Sequence, residues 1–520
     1  MKERSVNRMK TCTEPVLTPE AVRAWEHAAF AGGVSSLLLM EDAARRLMET
    51  LRPLLAPGDR TLIVCGPGNN GGDGAALGRL LLAEGRATLL AAAAAPATDD
   101  ARTMRAYYEA LGGQAIDGGD AVGAIAAFRP DCVVDALFGT GFHGAPEGLY
   151  ADLIGAVNRS GARVVLAVDI PSGLNGRDGS FAVAPDGSPL MVRATHTVTL
   201  GAWKPGLLLT QAPVGRLTRA RIALPDMAPE TDLRLLTGDA LRWIPPRARD
   251  AHKGTAGRVL MYMGTEGMAG AAAMAALAAL RAGAGLVTVA CPREILPTVQ
   301  ALVPNAMCVP ADTLTERIPP HDALAAGCGL GQGEAARATL AALLARETGP
   351  AVLDADALNL LAAAPFPLPP ETVLTPHPGE AARLAGLSVR QVTGAPLDAA
   401  RSLADRYHAA VLLKGTVSLA TDGQRTLVQR RGAPSLAKGG SGDALTGILA
   451  AFCADRTVCA DQRGRDRLVS CAALASLCLG LAGERAQADL GDRSALTGDV
   501  IDRLPEVLSG RSSAGPDGAR

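Results

Sequence analysis

The sequence has little that would suit a nucleic-acid or membrane partner. Aromatic residues make up only 3% of its 520 residues, too few to stack on bases, and 51 basic against 52 acidic residues leave a net charge of −1. It has no run of 18 apolar residues, and the basic start MKERSVNRMK is not followed by an apolar segment with a small-residue cleavage site. We therefore expect a cytoplasmic protein with no nucleic-acid and no membrane partner.

Paired cysteines are also missing. The 10 cysteines are scattered along the chain, and no two have the CxxC spacing. This pattern argues against a structural zinc site and against a disulfide framework. We expect the cysteines to be reduced and mostly buried.

What the sequence has throughout is an alternation of strand-like apolar runs with helical runs rich in alanine and leucine. This pattern is typical of parallel sheets covered on both faces by helices, and the chain is too long for a single core. The sequence therefore predicts two α/β domains. The segment 212–251 is rich in proline and arginine, has no sustained periodicity, and is predicted to contain the domain boundary.

Two glycine-rich loops, one in each half, each carry an aspartate. GPGNNGGDG (residues 66–74) follows an apolar run, and GGSGDALTG (residues 439–447) opens a helical run. In such loops backbone N–H groups and a helix N-terminus point at an anion, so both loops are predicted phosphate sites. An aspartate beside a phosphate is electrostatically unfavourable unless it has a task, such as accepting a proton.

In the first half, Asp135 and Asp169 each fall at the carboxyl end of a predicted strand, where open α/β sheets bind ligands. Asp169 is our candidate for acid–base chemistry. Asp73, in the first glycine loop, can instead hold the turn through bonds to its own backbone. Lys204 follows the fourth predicted strand, and it can either pair with a phosphate or lie in a solvated loop.

In the second half, Asp443 is predicted to be the base that deprotonates a substrate hydroxyl as a phosphoryl group arrives. An N-terminal helix cap would explain the same residue without chemistry. The strand end LLKGT (residues 412–416) favours the catalytic interpretation, because residues 414–418 can cradle a nucleotide shortly before the aspartate. Asp354 and Asp356 alternate at one strand end, so we expect them to fix loops and not to share a metal.

Three motifs in the first half, GPGNNGGDG, DALFGTG (residues 135–141) and VDIPSGLNG (residues 168–176), occur in the order of the YjeF N-terminal family of NAD(P)H-hydrate epimerases, which this half resembles. The second half resembles the ADP-dependent NAD(P)H-hydrate dehydratases of the ribokinase-like superfamily. Its matching motifs are HKGTAGRVL (252–260), GMAGAA (267–272), LDADALNLL (353–361), LTPHPGE (374–380), LLKGT and GGSGD (439–443).

The resemblance implies a Rossmann-like three-layer sandwich over residues 15–225 and a ribokinase-like three-layer sandwich over residues 251–508. A linker at 226–250 and a disordered tail at 509–520 complete the expected organisation. The implied function is repair of hydrated NADH and NADPH (NADHX and NADPHX). The first domain would interconvert the R and S epimers at C6, and the second would dehydrate the S epimer with ADP. A homo-oligomer is expected.

The resemblance also implies site residues. The hydrated nucleotide would bind Asn69, Asn70, Gly71, Gly72, Asp73, Gly139, Thr140, Gly141, Phe142, His143, Gly144, Ala145 and Asp169 in the first domain. Potassium would bind Asn70, Asp135 and Ser172. In the second domain the hydrate would contact Ala271, Gly331 and His377. ADP, with Mg²⁺, would bind Lys414, Gly415, Thr416, Val417, Ser418 and Gly442, beside the catalytic Asp443.

The chain departs from the family pattern in a few places. Asp42 stands where the epimerases have the asparagine of MENAG, and we expect it to add negative charge near the dinucleotide. Cys328 stands where the dehydratases have the proline of GPGLG, although the glycines are kept. Lys438 replaces a small residue before GGSGD.

Two alternative functions stay open at this point. The second half could be a small-molecule kinase, because the ribokinase-like fold serves many hydroxyl acceptors. The first half could be a non-catalytic nucleotide-binding module. The preference for ADP or ATP, the preference for NADHX or NADPHX and the oligomeric state are also open.

Overall fold

The computed structural model describes residues 11–184, 186–225 and 228–510. The chain forms two compact units: a smaller unit, Pro15–Thr231, and a larger unit that begins at Asp232 and includes the segment ending at Glu14. The predicted disordered tail lies outside the described residues from residue 511 onward, as do residues 226–227 of the predicted linker. Residues 509–510 form a turn after the last helix.

The first strand, β1 (Thr13–Pro15), belongs to the sheet of the larger unit. The smaller unit follows, and its strands alternate with helices. Its elements are α1 (Pro19–Ala31), α2 (Ser36–Leu51), β2 (Thr61–Cys65), α3 (Asn69–Ala83), β3 (Thr88–Ala92), α4 (Asp99–Ala110), β4 (Gln114–Asp117), α5 (Asp120–Phe128), β5 (Cys132–Ala136), α6 (Leu149–Arg159), β6 (Val164–Val168), β7 (His196–Leu200), α7 (Pro205–Leu209) and β8 (Arg216–Ala220).

The sheet of the smaller unit is parallel throughout, with the strand order β4-β3-β2-β5-β6-β7-β8. Every residue of β2, β5 and β6 is buried, as expected for a sheet covered on both faces. The strand order reverses between β2 and β5. The loops that follow these two strands therefore diverge and open a crevice at the carboxyl edge of the sheet, where ligands bind in such folds.

The larger unit also alternates strands with helices. Its further elements are β9 (Leu233–Leu236), β10 (Arg258–Tyr262), α8 (Ala269–Ala282), β11 (Leu286–Cys291), α9 (Leu296–Leu302), β12 (Met307–Pro310), β13 (Ala323–Ala326), α10 (Glu334–Leu344), β14 (Ala351–Leu353), α11 (Asp356–Ala363), β15 (Thr372–Leu374), α12 (Pro378–Ala385), α13 (Val389–Gly394), α14 (Pro396–Tyr407), β16 (Ala410–Leu413), β17 (Ser418–Thr421), β18 (Thr426–Gln429), α15 (Ser441–Ala454), α16 (Gly464–Leu490) and α17 (Thr497–Leu508).

The sheet of the larger unit has 11 strands in the order β1-β9-β18-β17-β16-β15-β14-β13-β10-β11-β12. The seven neighbouring strands β16-β15-β14-β13-β10-β11-β12 are parallel. Their order reverses between β10 and β13, which creates a second crevice at the carboxyl edge. β16, β17 and β18 form an antiparallel meander, and the turn between β17 and β18 contains Asp422 and Gly423, as predicted. The prediction of two α/β domains is confirmed.

The structure differs from the expected linker at residues 226–250. Strand β9 lies inside this range and pairs with β18 in the sheet of the larger unit. Its outer leucines, Leu233 and Leu236, are buried. A four-residue strand between polar and proline-rich stretches is too short to show a hydrophobic period, which is why the sequence did not reveal it.

Small residues let two helices of the larger unit approach closely. All the buried residues of α8 are alanines, and a Cβ added to Gly447 of α15 would lie 2.0 Å from the carbonyl oxygen of Ala275. Helix α16 is long and apolar enough to cross a membrane, but 83% of its apolar window is buried in the unit, as in a core helix of a soluble fold. Nine of the ten cysteines are buried and all are unbridged, as expected.

We predict that Gly447→Ala destabilises the larger unit by about 1 to 3 kcal/mol, because the added methyl group forces α15 away from α8. Hydrogen exchange in urea, followed on peptides from α8 and α15, measures this loss. The matched control is Gly498→Ala in α17, where an added Cβ meets nothing within 4 Å and is expected to be neutral or stabilising by about 0.5 kcal/mol. Equal stability of the two variants would contradict the close-packing argument.

Candidate functional sites

The first crevice is closed at its base by two glycines. A Cβ on Gly66 would lie 1.9 Å from the carbonyl oxygen of Leu137, and a Cβ on Gly71 would lie 2.0 Å from that of Gly66. The chain after β2 therefore packs directly against the chain after β5. Helix α3 begins at Asn69 without a side-chain cap, so the backbone N–H groups of its first turn face the crevice as potential anion donors.

Two of the three predicted potassium ligands, Asp135 and Ser172, are in direct contact, and the third, Asn70, packs against the loop after β5. The Ser172 hydroxyl donates to Asp135 over 2.6 Å, and the backbone N–H of Ser172 donates to the same carboxylate over 2.8 Å. Asn70 packs against Gly139, where an added Cβ would lie 3.3 Å from the amide oxygen. Burial raises the pKa of Asp135 to about 6. The hydrogen bonds from Ser172 and from the Leu137 backbone act in the opposite direction and lower this pKa.

This set fits a hard monovalent cation. All three side chains carry the oxygen ligands that such ions prefer, and the carboxylate is buried. The Asn70 amide nitrogen is buried and has no hydrogen-bond partner among the described residues. Because the two ends of an amide are assigned from their partners, the reversed orientation would turn its oxygen inward.

Asp169 is held in an unusual conformation at the end of β6. Its backbone φ is 67°, a left-handed value that a residue with a Cβ rarely adopts. Its Oδ1 accepts hydrogen bonds from the Thr199 hydroxyl at 3.1 Å, from the Leu200 backbone at 3.0 Å and from the Lys204 ammonium group. Its Oδ2 accepts none from the described part of the chain. One oxygen is thus fixed, and the other remains available.

Lys204 is fully buried. Besides Asp169, it donates to the Leu200 carbonyl over 2.8 Å and to the Thr199 hydroxyl over 3.0 Å. The alternative that Lys204 lies in a solvated loop is therefore wrong. Its pairing partner is a carboxylate of the same site, which sequence spacing alone does not reveal.

Two more carboxyl groups face Asp169. Asp73, in the second turn of α3, is 9% exposed, and Glu26 lies on α1. Burial, followed by the charge of Asp169, raises the pKa of each. The expectation that Asp73 bonds its own backbone is wrong, since among the described residues its carboxyl has no hydrogen-bond partner. Glu26 was missed, because it sits on an amphipathic helix with no motif around it.

The loop after β5 is only partly at the crevice. Thr140 accepts a hydrogen bond through its carbonyl from Arg23 of α1, and Phe142 stacks on Phe138 at 4.3 Å between ring centroids. Gly141 and residues 143–145 are exposed. Asp42 accepts a hydrogen bond from the Ala223 backbone at 2.8 Å, so the protein itself engages the negative charge that we expected near the dinucleotide.

In the larger unit, an ion pair between a buried aspartate and a partly buried lysine organises the second crevice. Asp354, after β14, is 1% exposed; its Oδ1 lies 2.5 Å from the Lys414 ammonium nitrogen, and its Oδ2 accepts from the Thr446 hydroxyl at 2.8 Å. Burial opposes the charge on Lys414, but the carboxylates of Asp354 and Glu380 raise its pKa. Asp354 therefore does more than fix a loop, because it orients the cation of this site.

Asp443 lies beside that pair. Burial raises its pKa to about 6, the Cys328 thiol lowers it by a hydrogen bond, Asp354 raises it and Lys414 lowers it. The alternative that Asp443 caps the helix is wrong: Gly440 is the cap residue of α15, in a left-handed conformation, and Asp443 is the third helical residue. A carboxyl group whose pKa is near 6 is suited to accept a proton at neutral pH.

The N-terminus of α15 has the features of a phosphate site. A Cβ on Gly442 would lie 3.7 Å from the Lys414 ammonium nitrogen. The Ser441 hydroxyl is buried and has no hydrogen-bond partner within the described ranges. A cation, an unused hydroxyl and the N–H groups of a helix start thus converge where an anion would bind.

The other predicted residues surround the same crevice. Gly331, at φ 80°, donates its N–H to Asp356 over 2.8 Å, and the Cys328 carbonyl accepts from Gly264 over 2.9 Å, which joins the loops after β10 and β13. His377 caps α12 by accepting from the Gly379 backbone at 3.0 Å, and its side chain is 51% exposed. The remaining predicted positions are buried Ala271 on α8, the loop Gly415, Thr416 and Val417 between β16 and β17, and buried Ser418 at the start of β17.

Comparison with known families matches both units. The family described as "YjeF-related protein N-terminus" matches residues 36–206, and the family described as "NAD(P)H-hydrate dehydratase" matches residues 259–506. The bifunctional NAD(P)H-hydrate repair enzyme Nnr of Moorella thermoacetica is 38% identical over 508 residues, covering 91% of this chain and 93% of the relative. The protein of the same description from Escherichia coli strain K12 is 34% identical, covering 95% of each chain.

A solved structure of the ADP/ATP-dependent NAD(P)H-hydrate dehydratase of Bacillus subtilis, co-crystallised with ATP and Mg²⁺, is also similar. It is 26% identical, with a TM-score of 0.47, and covers 52% of this chain and 96% of its own.

We predict that Lys204→Met destabilises the smaller unit by about 3 to 5 kcal/mol, because it leaves the Asp169 carboxylate buried without its cation. The double variant Lys204→Met/Asp169→Asn should recover part of this loss, and denaturant unfolding of the three proteins measures both effects. Arg45→Met is the surface control, since its ion pair with Glu41 is 65% exposed on the arginine side and is worth little. A double variant that is no more stable than the single one would refute the pairing.

Proposed function

Because the chain belongs to the family of bifunctional NAD(P)H-hydrate repair enzymes, we propose how the residues of its two crevices divide that chemistry. The smaller unit is the epimerase domain and the larger unit is the nucleotide-dependent dehydratase domain of one repair enzyme. A dehydratase that accepts one C6 epimer needs an epimerase to use the other. The kinase and the non-catalytic module that the sequence left open do not agree with this membership.

In the epimerase domain, the start of α3 binds the pyrophosphate of the hydrated nucleotide through its N–H groups. Asp169 exchanges a proton with the C6 hydroxyl through Oδ2, while Lys204 and Thr199 hold Oδ1. Asn70, Asp135 and Ser172 would hold potassium. Its positive charge would offset the negative charge of the pyrophosphate.

In the dehydratase domain, the start of α15 and Lys414 hold the phosphates of the nucleotide. Asp443 accepts the proton of the C6 hydroxyl as that oxygen takes the terminal phosphoryl group of ADP. The C6–O bond then breaks with its electron pair going to the departing phosphate, water takes the C5 proton, and the C5–H electron pair re-forms the C5=C6 double bond. Phosphate is a far better leaving group than hydroxide, which is why the reaction uses a nucleotide.

Mg²⁺ would enter this site with the nucleotide. No group of three or more His, Cys, Asp or Glu side chains in the described part of the chain could hold a metal ion. Mg²⁺ commonly keeps several waters and binds through substrate phosphates and only one or two carboxylates. We propose that the chain has no preformed cage for it.

The observation that carries this proposal is the convergence at α15. Asp443, the Asp354–Lys414 pair and the unused Ser441 hydroxyl meet at one helix start, on a chain whose relatives of the same length are repair enzymes. A structural role would account for the ion pair. It would not account for a second, partly buried carboxyl beside it, or for a buried hydroxyl that has no partner among the described residues.

The direct test is recovery of the reduced-nicotinamide absorbance from a mixed-epimer hydrate preparation, with ADP, with ATP and with neither. We expect complete recovery with ADP. Asp443→Asn should lose about 10²-fold or more in rate, and Asp169→Ala should recover only the S fraction plus the slow spontaneous epimerisation of the rest. No recovery by the folded wild-type protein with either nucleotide would overturn the proposal.

We predict that kcat/KM for the pure S epimer falls about tenfold per pH unit below pH 6, because protonated Asp443 cannot accept the hydroxyl proton. The sign follows from its pKa, which lies above the ordinary value and near 6. Cys328→Ala removes a hydrogen bond that lowers this pKa and should move the profile to higher pH. Cys308→Ala, at a half-buried position on β12, is the control and should leave the profile unchanged. A profile flat down to pH 4 would exclude Asp443 as the base.

A further inference from the structure

One buried acidic residue in the smaller unit, Asp73, has a carboxyl group that no described residue hydrogen-bonds. The buried acidic residues of the described chain are Asp73, Asp135, Asp169, Asp354 and Glu380. Four of them accept at least one hydrogen bond at 2.8 to 3.0 Å from a backbone N–H or a side chain. Asp73 accepts none from the described residues, although it is only 9% exposed.

A structural role does not explain this residue. Only the first turn of a helix has unpaired N–H groups that a carboxylate can bond. Asp73 is the fifth residue of α3 and lies beyond that turn. The Asp73 oxygens are not among the fully enclosed atoms without a partner, so they reach solvent, whereas the neighbouring Ala75, Ala76 and Leu77 are buried and apolar. The arrangement is understandable if a ligand completes it.

The position of Asp73 fits a ligand in the first crevice. Side chains on a helix lean toward its N-terminus, so the carboxyl leans toward Asn69 and the start of α3. Its electrostatic neighbours are Asp169 and Glu26. Burial and these two acidic groups raise the pKa of Asp73 well above its ordinary value, which favours its protonated form. Asp169, in contrast, is ion-paired with Lys204.

We propose that Asp73 is the acid that protonates the departing C6 hydroxyl in the epimerisation, with Asp169 as the base that activates the returning water. The assignment rests on the epimerase function proposed above and names the second group that such a reaction needs. Two carboxyl groups in different protonation states are the arrangement by which one site performs acid and base chemistry at the same pH.

Epimerisation at C6 would proceed by loss and re-addition of water. The proton of Asp73 moves to the C6 hydroxyl, and the C6–O bond breaks with its electron pair going to oxygen, so that water leaves. The nitrogen lone pair at N1 forms an N1=C6 double bond. Water then adds to the opposite face of C6, its proton goes to Asp169, and the double-bond electrons return to N1. Proton exchange with solvent restores the two carboxyl groups.

The test uses the full chain and compares Asp73→Asn, which keeps the shape of the side chain but cannot supply the proton, with Asp73→Glu, which can. Asp120→Asn, at an exposed position that starts α5, is the matched control. Three rates are measured: conversion of pure R-NADPHX to the S epimer, incorporation of ¹⁸O from labelled water at C6, and ADP-dependent dehydration of pure S-NADPHX.

We expect Asp73→Asn to lose about 10²- to 10⁴-fold in kcat for epimerisation and the same factor in ¹⁸O incorporation, with KM changed by less than about threefold. Asp73→Glu should retain part of both rates, and S-NADPHX dehydration should stay unchanged in all variants. Because Asp73 has no partner to lose, the melting temperature of Asp73→Asn should equal or exceed that of the wild type, which shows that the variant folds.

Three outcomes would overturn the proposal. A raised KM with an unchanged kcat would make Asp73 a binding residue only. Epimerisation without ¹⁸O incorporation would show that the C6–O bond does not break. An Asp73→Asn variant that loses activity because it melts far below the wild type, together with an Asp73→Glu variant that does the same, would make the role structural. If wild-type protein does not convert R-NADPHX at all, the epimerase function fails instead.

Discussion

A lysine paired with a buried aspartate lies at the carboxyl edge of the sheet in each unit, and the geometry of each site depends on that pair. Lys204 holds Asp169 in the smaller unit, and Lys414 holds Asp354 in the larger one. Ionised groups at such depth are strongly unfavourable unless they are paired and hydrogen-bonded. Each aspartate also accepts a hydrogen bond from a threonine hydroxyl, Thr199 of β7 or Thr446 of α15, so residues that are distant in sequence are held together.

The two pairs serve different chemistry. In the smaller unit the lysine fixes one oxygen of the aspartate, and the other oxygen is left to meet the substrate. In the larger unit the paired aspartate orients the lysine, whose ammonium group faces the start of α15, while Asp443 is the group that accepts a proton. Both crevices lie where the strand order of a parallel sheet reverses, so the fold supplies the position and the charged residues supply the reaction.

Sequence patterns predicted the parts of this arrangement that depend on local composition. The buried strands, the two glycine loops and the aspartates at strand ends follow from apolar runs and from the backbone freedom of glycine. The partners of Lys204 and Lys414, the position of Glu26 and the isolation of Asp73 could not be predicted, because each depends on which distant strand ends and helices become neighbours. Strand β9 was missed because four residues cannot show a period.

Each site is made of residues from one unit only, and the central claim is that each is complete on its own. The most direct test mixes two defective full-length proteins, Asp169→Ala and Asp443→Asn, and supplies pure R-NADPHX with ADP. Each protein alone should yield little NADPH, whereas the mixture should recover it at a rate close to that of the wild type. If the mixture stays as slow as the single variants while the wild type is active, the two sites are not independent and the account is wrong.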